Sequence, residues 1–374
     1  MLRAKDAGMG TLDVKELGSL QAALDRLPAT GGAIYIPTGE YALNEPAYLE
    51  LQEGQHLFIY GDGRGSSLHN RNRDGQPLLH LKCGSGMGWF KVKVTVRDLS
   101  FLGTPDSGDG LFLEHPNDAM VDACFFQGHG GYGLRLGPSG TNVTVRDCWL
   151  RDCKRGIRAD NIHHLTLHGT QTRSLSGGQE QAEHLFLGWE CREVRVVNNH
   201  FAYGHAQAII LDGTAQHVIA NNTIEGFPIG IEARGRGETL PRDRCRDMVI
   251  ANNYLHADTA VLLQGECRGF AIQGNNIINN PQGAIVVRQG QSSGGHSITG
   301  NVIRKSVYDG EYVKTASPEQ RGIDLEAAES CLVSGNVFED LNPGPAITAQ
   351  KLENHLIEGN LIRKRGQAGL QSGL

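Results

Sequence analysis

Apolar residues in this chain recur in close pairs, adjacent or one position apart, and a polar or small residue follows at a fixed distance. Val194 and Val196 lead to Asn199, Val218 and Ile219 to Asn222, and Val249 and Ile250 to Asn253. In each case the Asn stands three positions after the last apolar residue. The series continues through Asn275, Asn301, Asn336 and Asn360, and begins upstream with Cys124, Cys148 and Thr170 at the same point. Successive members lie 24, 22, 29, 23, 31, 22, 26, 35 and 24 residues apart. A near-constant period with a few lengthened members is a repeat carrying loop insertions.

Each repeat holds a second short run opened by Gly or Ala, such as Gly133-Leu134-Arg135-Leu136, Ala208-Ile209-Ile210-Leu211 and Gly230-Ile231-Glu232-Ala233. Alternation with period two turns Leu, Ile and Val inward and the residue between them outward. Strands this short suit the walls of a coil, each paired in parallel with its counterpart one coil away at about 4.8 Å. The pattern therefore predicts an all-β chain: a single-stranded, right-handed parallel β-helix forming one domain over residues 1–374, with coils over about 33–370. The inward Asn residues are expected to stack and to satisfy backbone groups of neighbouring coils. Over 15–27, Leu17, Leu20, Leu24 and Leu27 share one helical face, which predicts an N-terminal capping helix over the exposed core of the first coil.

Composition sharpens this picture. Gly is abundant (50 of 374) and aromatics are few (6%), as expected of a turn-rich β protein. A net charge of −6 argues against a nucleic-acid partner. There is no apolar run of membrane-spanning length, so no membrane partner is expected. The first residues lack the apolar core of a secretory signal, which predicts a cytoplasmic protein or a mature or truncated secreted one. The eight Cys fall in shared repeat phases, Cys191, Cys245 and Cys267 in one and Cys124 and Cys148 in another. Same-phase cysteines in a solenoid are expected to stack as buried thiols. No Cys/His spacing reads as a metal site.

The segment Gly31-Gly32-Ala33-Ile34-Tyr35-Ile36-Pro37-Thr38-Gly39-Glu40-Tyr41 resembles the first strand of the pectate-lyase-like superfamily, where it follows a capping helix. The Asn coils resemble the general repeat of that superfamily. The resemblance covers nearly the whole chain and implies a carbohydrate-active protein rather than one reaction. Gly128-His129-Gly130 matches one polygalacturonase motif, but no Asp-Asp pair accompanies it, and it reads as a turn. The Asp-Pro-His motif of alginate epimerases is absent. Difructose-forming inulin transferases share the coil style without an alignable carboxylate pair.

The outward positions of the Gly/Ala-opened strand form two columns. One runs Phe112, Arg135, Arg158, Phe186, Ile210, Glu232, Leu262, Val286, Asp324 and Thr348; the other includes Asp160, Asp212, Arg234, Gln264 and Arg288. Carboxylates, Arg and apolar residues on one face are the mixture a sugar-binding groove needs. Insertions at 174–183, 234–244 and 306–321 flank this strand, with Trp189, Tyr203, Tyr308 and Tyr312 in or near them. Asp212 and Glu232, on neighbouring coils and offset by two residues, are about 8 Å apart at Cα. That separation suits an acid and a base acting across a water in glycoside hydrolysis. Arg158, Asp160, His184, Phe186, Arg234, Arg288 and Asp324 are the expected substrate contacts. Elimination on a uronate is the alternative, with His184 as base and arginines neutralising the carboxylate, and intramolecular glycosyl transfer is another. A non-catalytic glycan-binding or viral-spike β-helix is the non-enzyme reading. No cofactor is required; calcium is compatible with Asp212, Glu232 or Asp160, although no ligand loop is recognisable. The apolar outer column also leaves room for a homo-oligomer, a trimer for instance.

Overall fold

One residue ahead of each ladder position, the backbone enters the left-handed region. Asn198 (φ 57°), Asn221 (φ 56°), Asn252 (φ 54°), Gly274 (φ 63°) and Gly300 (φ 64°) do so before the downstream Asn residues. Ala123 (φ 51°), Asp147 (φ 52°) and Gly169 (φ 62°) do so upstream. Gly, Asn and Asp carry this conformation at least cost. A single left-handed residue between two extended runs turns the chain through a corner, so the repeated motif makes each coil bend at the same place.

The resulting architecture is a right-handed parallel β-helix. The computed structural model describes residues 10–84, 92–174, 182–237, 244–288, 293–305, 321–341, 346–350, 354–363 and 371–372. Contacts group the chain into two compact units, divided between Leu185 and Phe186.

In the N-terminal unit each coil has three walls. The first includes Gly31–Ile36, His56–Gly61, Asn117–Asp122 and Gly140–Arg146; the second includes Phe125–Gln127 and Trp149–Arg151. The third contains Ala47–Glu50, Leu79–Lys82, Leu111–Glu114, Tyr132–Gly137 and Arg155–Ala159. Every stacked pair in these walls is parallel. The expected capping helix is two short ones, Val14–Leu17 and Leu20–Asp25. Gly18 (φ 85°) ends the first, and the Ser19 hydroxyl accepts the Ala22 N–H to start the second. A left-handed Gly followed by an N-cap Ser breaks a helix whatever its apolar stripe says.

In the C-terminal unit the first wall aligns Ile219, Ile250, Ile272, Ile298, Val333 and Ile357 in register. The first five are fully buried, and each side chain contributes about 1.5–3 kcal/mol through burial. The second and third walls merge into continuous strands at Thr223–Gly235 and Tyr254–Gly265, with a register shift between Glu225 and Phe227.

At the corner between the first two walls the Asn residues form one unbroken ladder. Asn222 Oδ1 accepts the backbone N–H of Asn199 (2.9 Å) and its side-chain N–H (3.0 Å), while Asn222 Nδ2 donates to the Val196 carbonyl (2.9 Å). The same three bonds recur down to Asn360. Upstream, the thiols of Cys124 and Cys148 reach back to the Val96 and Val121 carbonyls at 3.6 and 3.7 Å, a weaker version of the same contact. At the corner before the first wall, Nδ1 of His217 accepts the Val194 N–H (3.1 Å) and Nδ1 of His296 the Phe270 N–H (3.3 Å). All eight cysteines are free and buried, as the shared phases require.

Candidate functional site

The third-wall columns have the register expected from the sequence. In the C-terminal unit Ile210, Glu232, Leu262, Val286, Asp324 and Thr348 are successive partners, and beside them run Asp212, Arg234, Gln264 and Arg288. Although outward by phase, Ile210, Glu232, Leu262 and Val286 are all buried within the single chain. Phe186 is half-buried.

Asp212 and Glu232 are both buried, and each is paired with an arginine. Glu232 accepts from Arg234 Nη2 at 2.7 Å. Asp212 is opposite Arg234 in the strand register, yet its carboxylate is held in a two-point contact by Arg236. Arg234 turns back along its own strand to the residue two before it, and Arg236, just past the strand end, reaches across to Asp212. Sequence reasoning missed Arg236 because it falls outside the strand whose phase defined the columns. Arg288 is exposed. Asp324 accepts the Glu326 N–H (3.1 Å) and the Thr348 hydroxyl (2.9 Å). Trp189 and Tyr203, at 40% and 44% exposure, present aromatic surface in the same unit. The insertions at 174–183, 234–244 and 306–321 lie largely outside the described residues, and Tyr308 and Tyr312 lie wholly outside them.

The N-terminal unit carries a second charged group on its third wall. Arg158 donates to Asp160 through Nε and Nη2, the latter bond being 3.0 Å, and its Nη1 donates to the Tyr132 hydroxyl at 3.0 Å. Burial works against the Arg158 charge, but the bonds to Asp160 and Tyr132 outweigh it and raise its pKa. The Tyr132 hydroxyl donates to Glu183 (3.1 Å), which Arg155 also approaches (3.4 Å). The Tyr132 backbone N–H donates to Asp109 (2.7 Å), and burial raises the Asp109 carboxyl pKa. Burial and the Glu183 charge likewise raise that of Tyr132. Tyr132, Arg155, Asp109 and Glu183 are absent from the sequence columns because they open or precede the strands that defined them.

His184 is not on this face. It is fully buried, with Nδ1 2.6 Å from the hydroxyl of the buried Thr172, so its ring is turned into the corner of the coil. A buried imidazole in that place cannot reach a substrate lying along the outer wall. His129 of the Gly-His-Gly turn is also fully buried and bonded to the Phe101 carbonyl (3.1 Å), which makes that motif structural.

Among the described residues no three His, Cys, Asp or Glu side chains converge as a metal-ligand set. No helix among them is long and apolar enough to cross a membrane.

Residues 93–261 and 257–373 match the family model described as periplasmic copper-binding protein (NosD). No curated protein matches the chain by sequence. Among solved structures it is similar to the Dettilon tailspike protein, with TM-score 0.65 and 14% identity over 92% of this chain and 64% of that one. The chain thus spans less than two thirds of that tailspike. It is similar to a double mutant of the periplasmic alginate epimerase AlgG, with TM-score 0.64 and 12% identity over 95% of this chain and 84% of that one. A family 28 exopolygalacturonase of Yersinia enterocolitica aligns with TM-score 0.57 and 10% identity over 94% and 78% of the two chains. At these identities the likeness is one of fold.

Proposed function

The chain belongs to the NosD family of parallel β-helices, and on that premise we propose that it is a carbohydrate-active enzyme working on the outer face of its third wall. Its substrate is a polysaccharide or oligosaccharide, and its reaction is acid–base cleavage of a glycosidic bond. The structurally similar epimerase and exopolygalacturonase, named for alginate and for polygalacturonate, favour a glycan as ligand.

One observation carries the reading. The strand register sets Asp212 and Glu232 on neighbouring coils, two residues apart, on the outward side and beside arginines. About 8 Å between Cα atoms suits a carboxylate pair with a water between them. Both carboxylates are buried, so each depends on its arginine. A substrate oxygen or carboxylate that binds Arg234 brings the scissile bond beside Glu232. Glu232 then acts as the acid, while Asp212, still held by Arg236, acts as the base on water. Arg288 and Asp324 lie on the same columns of that unit as sugar contacts.

A second reading, elimination on a uronate, is favoured by the Tyr132 group. Arg155 and Arg158 would neutralise a sugar carboxylate, and the Tyr132 hydroxyl would relay the proton. The copper of the family description has no place in either reading. No ligand set converges among the described residues, and the thiols copper favours are buried, with those of Cys83 and Cys153 pushed up to about 12 by burial.

The test is product analysis on a panel of neutral and acidic glycans. New reducing ends without an unsaturated product indicate hydrolysis, and an unsaturated product indicates elimination. Asp212→Asn and Glu232→Gln should each lower hydrolytic turnover by roughly 10²–10⁴-fold with the melting curve unchanged. Full activity in both variants would remove this pair from the mechanism.

A further inference from the structure

The corner after the third wall of the N-terminal unit holds a different constellation. Glu114 ends the strand Leu111–Glu114, and the chain turns at His115 (φ 53°). One coil later Gly137 pairs with Glu114, and Ser139 stands in the corner that follows. His115 Nδ1 is 2.8 Å from Ser139 Oγ, and its Nε2 is 3.7 Å from Glu114 Oε1. The other Glu114 oxygen is 2.8 Å from His80 Nε2. The His80 ring stacks on Phe112 with centroids 4.6 Å apart, and Tyr48, 41% exposed, meets it edge-on. The His80, Glu114 and His115 side chains are 21%, 23% and 24% exposed, reachable from solvent yet held in place.

We propose that Ser139, His115 and Glu114 form an acyl-transfer site that hydrolyses carboxylic esters. The proposal does not rest on the glycan reading. A hydroxyl in hydrogen-bond reach of an imidazole, with a carboxylate facing the other ring nitrogen, is the arrangement that activates a serine. The order of atoms fixes the roles. With the ring proton on Nε2, facing Glu114, Nδ1 is free to accept the Ser139 proton. The 3.7 Å separation is loose, and such contacts tighten when substrate binds. A hydroxyl–imidazole contact that merely stapled the turn would need no carboxylate opposite, nor a second imidazole to orient that carboxylate. Here His80 holds one Glu114 oxygen and leaves the other for His115, which makes Glu114 and His80 positioning residues.

In the first step Ser139 Oγ bonds to the ester carbonyl carbon as its proton passes to His115 Nδ1. The carbonyl re-forms, the C–O bond to the alcohol breaks, and His115 returns the proton to the departing alcohol. Water then attacks the acyl-serine, giving its proton to His115, and the acid leaves as Ser139 recovers the proton. Water is the only co-reactant.

The experiment treats the full chain with a fluorophosphonate probe and, separately, with p-nitrophenyl acetate. Phosphonylation of Ser139, located by peptide mass mapping, together with ester turnover is the expected result. Ser139→Ala should abolish both with the melting curve intact. His115→Gln should slow labelling by roughly 10²–10⁴-fold. Glu114→Gln should lower kcat on the ester while leaving KM unchanged, a split that a purely structural role would not give. If Ser139→Ala unfolds, Ser139→Cys replaces it, and its thiol should be alkylated faster with His115 present than in the Ser139→Cys/His115→Gln double variant. An unmodified Ser139, ester turnover that survives Ser139→Ala, or alkylation indifferent to His115 would overturn the proposal.

Discussion

Ala123 occupies a left-handed corner that Asn, Asp or Gly occupies in the coils around it. Its φ of 51° carries the steric cost of a Cβ, and the side chain is exposed, so it gains little packing in return. Ala123→Gly should stabilise the protein by about 0.5–1 kcal/mol, the relieved strain exceeding the added freedom of the unfolded chain. A chemical-denaturation midpoint that stays put or falls would show that the corner is unstrained. Residue identity made much of this scale legible. The Asn and Cys phases, and the outward positions of Asp212 and Glu232, follow from period-two alternation alone. Ion-pair partners did not follow, because long side chains choose their contacts by reach: Arg236 takes Asp212 from beyond the strand end. His184 has the phase of an outward residue, but the buried Thr172 hydroxyl at the wall corner claims its ring.

At the scale of elements, the ladder binds separate strands into one corner. Asn253 makes three donations, to Asn275 Oδ1 twice and to the Ile219 carbonyl, and accepts two from Asn222. Asn253→Leu keeps the volume and strips the partners, leaving the Asn222 N–H and the Ile219 carbonyl buried without them. The expected cost is about 1–3 kcal/mol, read as a lower denaturation midpoint. An unchanged midpoint would mean that the ladder carries no stability. The strands themselves were foreseen as short and separate, which holds for most coils. It fails at Thr223–Gly235 and Tyr254–Gly265, where a bulge bends one strand through the corner without ending it. The capping helix was foreseen by its leucine stripe, whereas its break at Gly18 was a matter of capping chemistry that periodicity does not register.

For the molecule as a whole, buried imidazoles set the response to acid. Burial lowers the pKa of His129 and His296 to about 4 and that of His217 to about 3. Above about pH 6.5 these groups are neutral in both folded and unfolded chains, and stability is at its full value. As pH falls from there, the unfolded chain binds protons that the folded chain refuses, so stability declines by roughly 3 kcal/mol for each of His129 and His296, levelling off near pH 4, and by roughly 5 kcal/mol for His217, levelling off near pH 3. Urea midpoints measured across that range should fall steadily, and less so in His217→Gln. A flat profile would place these rings in contact with water. The architecture was legible from the sequence because one pattern repeats; the arginine partners of Asp212 and Glu232 were not, because long side chains pair by reach and the pattern records only phase. The ladder also has a consequence for how such a chain changes over generations. Rungs are 23, 31, 22, 26, 35 and 24 residues apart, yet every rung makes the same bonds. Each Asn resets the count, so an insertion or deletion in one coil is forgotten by the next. Length is therefore heritable one coil at a time, and new loops can be tried along one flank without retuning the rest.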